Sequence, residues 1–454
     1  GGSTVITDPA LGARRAHAVR TPHAASALTP ARPASPGART AAVTRTLPPS
    51  ASASASPSTL DALFAQIARR HPDAVAVQDA RGELRFAAAE SWAARLASVL
   101  VHSGVQLGDP VIIHCDDHRQ ALAAQLAVLK AGGVCVPAAH GLGRSQLRGI
   151  ASVSGASTVL CSRSTQEAWS RRYTALPLDD EDTRRRITAQ RLEPALPLSH
   201  SREAAYLLVH DGGRHGLTGH LVDHHAWRLA VAERIRTAGV APRRVFVAGP
   251  PAGPRALSAM WWAFAGAGSL RTLPGTGAPA HRDGTVSAAV FSPEEYDALV
   301  DVLPVRPRLV QLVGGPVPSD LVARHFTALP GARLRADFAP ADGALPWISR
   351  EFTAAGGTTS WAGTLGAPLP QVQVSVVDGR GRPLADGQTG ELCAAGRALP
   401  FDTVRRPGRA LPAWEEAPLL RSGMSGRRLP GGDLELVDPP TPVGEEDRVR
   451  VGRR

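Results

Sequence analysis

The stretch from 129 to 139 reads LKAGGVCVPAA, and its order of residue types decides how the chain is built. An apolar helical run over 118–131 leads into Gly132 and Gly133. Glycine tolerates the left-handed backbone that closes a helix, so the helix is expected to stop there. Val134, Cys135 and Val136 then form a short apolar run of the kind that fills a buried strand, and Pro137 ends it. Upstream, VIIHC (111–115) reads as a second buried strand, 87–103 as a helix and AVAVQ (74–78) as a strand. The first helix begins after the cap-like Ser58 and Thr59, with Leu60, Leu63, Phe64, Ile67 and Ala68 at helical spacing. Strands alternating with helices predict an α/β layered fold with largely parallel sheets.

The pattern changes at the two ends. Residues 1–58 are rich in Ala, Pro, Ser, Thr and Arg and bury too little apolar surface to offset the entropy of ordering, so they read as a disordered linker. From about 364, short strands such as QVQVSVVD (371–378) and GELCAAG (390–396) are separated by turn signals such as Asp378-Gly379, which predicts a small β-rich unit.

Of 454 residues, 43% are apolar, enough for a sizeable core. The net charge of +11 is carried by arginine, with Lys130 the only lysine. The arginine-rich first 58 residues hold no aromatic side chains to stack on bases and no nucleic-acid module, which argues against a nucleic-acid partner. Cys115, Cys135, Cys161 and Cys393 are widely spaced and form neither a zinc pattern nor a disulfide framework. No apolar run reaches the roughly 18 residues of a membrane span, and a cytoplasmic location is expected. The opening Gly1-Gly2-Ser3 predicts a piece of a longer polypeptide or a start added to the chain.

Seven segments, in order over 59–437, carry a resemblance. They are LKAGGVCVPAA (129–139), AYLLVHDGGRHGLTGHLVDHH (205–225), QLVGGPVPSDLV (311–322), LRADFAPAD (334–342), GAPLPQVQVSVVD (366–378), GQTGELCAAG (387–396) and RSGMSGRRLPGGDLELV (421–437). Together they resemble the adenylation domains of nonribosomal peptide synthetases, within the adenylate-forming superfamily. The resemblance implies two α/β layered subdomains over 59–363, a small β-barrel subdomain over 364–437, and a truncated hinge and tail over 438–454, with the mobile lid subdomain absent. It also implies a nucleotide site at Gly212, Gly213, Arg214, Thr218, Phe338 and Asp342.

The family activates a carboxylic acid by its attack on the α-phosphate of ATP, and several groups this needs are replaced here. The phosphate loop, His210 to Gly219, keeps Gly212 and Gly219 but puts Asp211, Gly213 and Arg214 at hydroxyl positions and Thr218 at the lysine position. A carboxylate at 211 repels a polyanion, and only Arg214 or His215 offers positive charge. Phe338 keeps a ring for stacking on adenine, and Asp342 stands where a magnesium-binding glutamate is found. Met424 replaces the aspartate that holds the ribose, a loss of charge-assisted hydrogen bonds worth on the order of 1.5–3 kcal/mol each. The substrate pocket maps to 245–268, and no Asp or Glu lies between Glu233 and Asp283 to meet an α-ammonium group. Trp261 and Trp262 fall within that stretch, and Glu391 is retained. His210, Asp211, His215, His220, Asp223, His224 and His225 crowd one segment without a metal-ligand spacing, so no metal site is assigned.

The resulting expectation is a degenerate adenylation domain of a nonribosomal peptide synthetase with no catalytic residue. It needs no cofactor, and its remaining role is to space neighbouring synthetase domains and dock a carrier protein in natural product biosynthesis. The alternative is ATP- and magnesium-dependent activation of an acid lacking an α-amino group, with the lid supplied elsewhere.

Overall fold

The computed structural model describes residues 58–194, 196, 199–211, 216–239, 241–274, 287–340, 343–354, 363–405 and 419–437. The 1–58 linker, apart from Ser58, and the 438–454 tail of the sequence reading thus lie outside the described residues.

Helix α1 (Leu60–Arg70) begins where the sequence places it, with the Thr59 hydroxyl accepting from the Ala62 amide at 3.4 Å. The hairpin β1 (Val75–Asp79) and β2 (Gly82–Arg85) follows, then α2 (Phe86–His102), β3 (Pro110–His114), α3 (His118–Lys130) and β4 (Val134–Pro137). Gly132 adopts φ +76°, the left-handed backbone the helix end requires. The chain continues through α4 (Arg144–Ser154), β5 (Thr158–Cys161), α5 (Arg163–Gln166), β6 (Thr174–Pro177), α6 (Glu181–Ala189), the hairpin strands β7 (Ala204–Asp211) and β8 (Leu217–Asp223), and α7 (His224–Ala238). Next come β9 (Arg244–Val247), α8 (Pro254–Ala265), β10 (Ser269–Thr272), β11 (Ser287–Phe291), α9 (Pro293–Leu299), β12 (Leu309–Gly314), α10 (Ser319–Ala328), β13 (Arg333–Phe338) and β14 (Ile348–Phe352). The last strands are β15 (Thr364–Pro368), β16 (Val372–Val377), β17 (Gly390–Gly396), β18 (Asp402–Arg405), β19 (Leu420–Arg428) and β20 (Leu434–Leu436).

These strands form two sheets. One has the order β18-β8-β7-β4-β3-β5-β6, and the other β16-β17-β19-β20-β15-β14-β13-β12-β11-β9-β10-β1-β2. Pairing is parallel from β7 through β4, β3 and β5 to the β6 edge of the smaller sheet, and among β1, β10, β9, β11, β12 and β13 in the larger. It turns antiparallel towards one end of each, and the β1/β2 hairpin is antiparallel at the other end of the large sheet. The strands after 364 do not stand apart: β15 pairs with β14, so the parallel sheet runs on into the antiparallel unit. In addition, β18 leaves that unit to pair with β8.

The helices between the sheets make the core. Phe64, Phe86 and Phe264, from α1, α2 and α8, meet with ring centroids 5.1 to 5.7 Å apart. Each fully buried ring contributes roughly 1.5–3 kcal/mol. All four cysteines are buried free thiols, and burial pushes the Cys161 thiol up to about 12. No helix among the described residues is long and apolar enough to cross a membrane.

Candidate functional site

The β7/β8 hairpin brings the expected phosphate loop to one end of the smaller sheet, pairing His210 with Thr218 and Asp211 with Leu217. Its crown, with Gly212, Gly213, Arg214 and His215, lies outside the described residues. Thr218 is 4% exposed, and its hydroxyl donates to the Gly216 carbonyl at 3.2 Å, within its own turn. A short hydroxyl turned inward does not reach a phosphate as a lysine does. Gly219 has a packing reason to be glycine: a Cβ there would lie 2.9 Å from both Leu207 Cδ1 and Val153 Cγ1. The lone lysine, Lys130, pairs with Glu90 between α3 and α2.

The histidine-rich segment is spread over different tasks. The His210 and His220 rings lie tilted at 60° to each other, centroids 4.7 Å apart. Asp223 caps α7, accepting from the Ala226 amide at 2.6 Å. His224 is buried and its Nδ1 accepts from the Leu60 amide at 3.0 Å, tying α7 to α1 across 164 residues. Burial holds its pKa down at about 4. Among the described residues no three His, Cys, Asp or Glu side chains could hold a metal ion.

Phe338 ends β13. Its ring is 3% exposed and packs edge-on against Trp347, centroids 6.1 Å apart. It offers no open face to a purine. Asp342 lies outside the described residues. Glu391 is buried on β17 and accepts from Arg421 Nε at 3.0 Å and from the Gly423 amide at 3.0 Å. It thereby fixes the turn that carries Met424, which is half-buried against the main core. Among the described residues, Thr218, Phe338 and Met424 thus make their contacts within the protein.

The feature that sequence reasoning missed lies where the substrate pocket was expected. Arg234 of α7 and Asp337 of β13 are 7% and 5% exposed, and form an ion pair with Nη2 2.8 Å from Oδ2. Arg234 Nε adds a second bond to the same oxygen at 3.3 Å. Nη1 donates to the Ser258 carbonyl at 3.3 Å and to the Ser258 hydroxyl. The guanidinium carbon sits 5.6 Å from the centroid of the Trp262 ring. Asp337 Oδ1 accepts from Ser349 Oγ at 2.8 Å, and Arg335 Nη2 donates to the same hydroxyl at 2.8 Å. The cavity left beside this network is about 10 Å³, lined by Trp227, Arg234, Ser258, Leu345 and Pro346 among others. That is room for one water at most. One sequence signal pointed here. Trp227, Ala230 and Arg234 share a helical face, so an arginine sat where the pattern called for an apolar residue.

A larger cleft of about 380 Å³ opens at the ends of β1, β3, β9 and β10. Its carboxylates are matched: Arg81 lies 2.9 Å from Asp116 and 3.4 Å from Asp117, and Arg119 lies 3.2 Å from Asp79.

Comparison with known proteins places this geometry. Residues 64–215 match the family described as AMP-binding enzyme. A linear gramicidin synthase of Brevibacillus parabrevis is 24% identical over 405 residues, which cover 84% of this chain and 5% of that synthase polypeptide. The chain therefore spans about a twentieth of that relative. The N-terminal subdomain of NpsA from Klebsiella oxytoca, solved with 3-hydroxyanthranilyl-AMSN, superposes with a TM-score of 0.66 at 19% identity. The match covers 84% of this chain and 99% of that one. The AMPPNP-bound form of the nonribosomal peptide synthetase FmoA3 (S1046A) gives a TM-score of 0.70 at 22% identity, covering 84% of this chain and 42% of the other.

Proposed function

We propose that this chain, which has the fold of the adenylate-forming enzymes, is an adenylation-type domain that has lost adenylate formation and serves as a structural and docking domain of a cytoplasmic nonribosomal peptide synthetase. The observation that carries this reading is the Arg234–Asp337 pair: the region mapped to the substrate pocket is filled by the protein's own side chains. An amino acid or aryl acid needs far more than about 10 Å³, and entering would mean breaking a buried ion pair. The nucleotide side agrees, with Thr218 turned inward, Phe338 enclosed and a thioether at Met424. The intact scaffold supports a retained role in placing neighbouring synthetase domains and a carrier protein.

ATP–pyrophosphate exchange should stay at background with every proteinogenic amino acid and with a panel of aryl and keto acids. Calorimetry with magnesium ATP or AMP at millimolar concentration should show no binding. Exchange with any amino acid sinks the proposal, and exchange confined to acids without an α-amino group establishes the alternative activity.

A further inference from the structure

The same pair has a second consequence, resting on the reading of residues 245–268 as the substrate pocket. We propose that the Arg234 side chain is the pocket's resident occupant, and that Asp337 makes the emptied pocket a site for a small alkylguanidinium ion.

Arg234 enters from α7 and meets a matched surface on several sides. Asp337 accepts two of its N–H groups, Ser258 accepts from a third nitrogen, and Trp262 lies under the guanidinium carbon. These are the contacts of a ligand site: a carboxylate for the fork, a carbonyl acceptor and an aromatic face. Asp337 cannot swing away to other partners when the guanidinium is removed. Its strand is paired on both sides, with Val313 and Ser349 as neighbours, and Oδ1 is held by Ser349, itself held by Arg335. Shortening Arg234 therefore leaves a fixed, buried carboxylate that has lost its direct ion-pair partner, with Arg335 beyond Ser349 on its other side, facing a void beside the existing small cavity. A buried carboxylate whose Oδ2 has lost both of its guanidinium bonds favours an entering cation. The fork geometry and the aromatic face select a planar guanidinium over an ammonium. The acid reaches the pocket from β13 and not from 245–268, so this recognition is built differently from the α-ammonium site that the sequence lacks.

The test compares the wild-type chain with Arg234→Ala in thermal unfolding and calorimetry, using ethylguanidinium, which replaces the atoms removed beyond Cβ, with ethylammonium and ethanol as controls at millimolar concentration. Arg234→Ala should melt roughly 5 °C lower. Ethylguanidinium should recover at least half of that loss saturably, ethylammonium less and ethanol none, and the wild-type chain should not respond. Adding Asp337→Asn should abolish the recovery. An equal response of variant and wild type overturns the proposal. If Arg234→Ala alone does not fold, it must refold when ethylguanidinium is present, while Arg234→Ala/Asp337→Ala, which leaves no carboxylate facing the void, must ignore the ion. Absence of ligand-dependent refolding is equally fatal. Pyrophosphate exchange by the wild-type chain alongside rescue of the variant would overturn the loss of adenylation and leave the guanidinium site standing. No exchange and no rescue would do the reverse.

Discussion

At the residue scale, Phe338 shows how a retained side chain changes its task. Its position at the end of β13 is the one that the resemblance assigns to adenine stacking, yet the ring is enclosed and set against Trp347. A ring that lines an open slot costs little when removed, because water replaces the ligand face. A ring packed into the core leaves a cavity. Phe338→Ala should therefore cost about 3–5 kcal/mol in urea unfolding. A cost below about 1 kcal/mol would show that the ring faces an open slot after all. Glu391 follows the same logic: a carboxylate retained by the sequence is spent on Arg421 and the Gly423 amide.

At the element scale, the β7/β8 hairpin separates packing from ligand binding. Gly219 matches a glycine of the phosphate loop, yet what it needs is room for α4 and β7. Gly219→Ala should destabilise by about 1–3 kcal/mol through the clash with Leu207 and Val153, whether or not nucleotide is present. If magnesium ATP altered that penalty, the hairpin would be gripping phosphate. The elements themselves were legible in the sequence because local signals agree: the Gly132 helix stop, the Thr59 cap and the apolar runs of β3 and β4 all lie within a few residues of what they control. What was not legible depends on distance. Arg234 and Asp337 are 103 residues apart, and neither neighbourhood names the other. The crossing of β18 to the β8 edge likewise has no local signal, since a four-residue strand carries no mark of its partner. At the site, Thr218 and Met424 could be read directly against the resemblance, whereas the Arg234–Asp337 pair could not.

At the scale of the whole molecule, buried histidines tie stability to pH. Burial holds His114, His118 and His224 at about 4, and lowers His325 as well. Two of these rings also act as acceptors through Nδ1, His114 from Trp169 Nε1 at 3.1 Å and His224 from the Leu60 amide at 3.0 Å, so protonation breaks a hydrogen bond in addition to burying a charge. Their folded values lie below the ordinary 6.5, so between about 4 and 6.5 the unfolded chain binds more protons than the native one. Stability from these groups is complete above 6.5 and drains away as pH falls towards 4. Each histidine contributes a slope of up to about 1.4 kcal/mol per pH unit inside that window. These groups link distant parts of the fold: His224 joins α7 to α1, and His114 joins β3 to the Trp169 segment. The loss should therefore be cooperative, with the urea midpoint falling between about pH 7 and 5 while the m-value holds. His224→Gln keeps an acceptor for the Leu60 amide without a titrating ring, so it should flatten the pH slope by about one proton's worth and leave the midpoint near pH 7 almost unchanged. An unaltered slope in that variant would mean that His224 already carries a proton in the native protein.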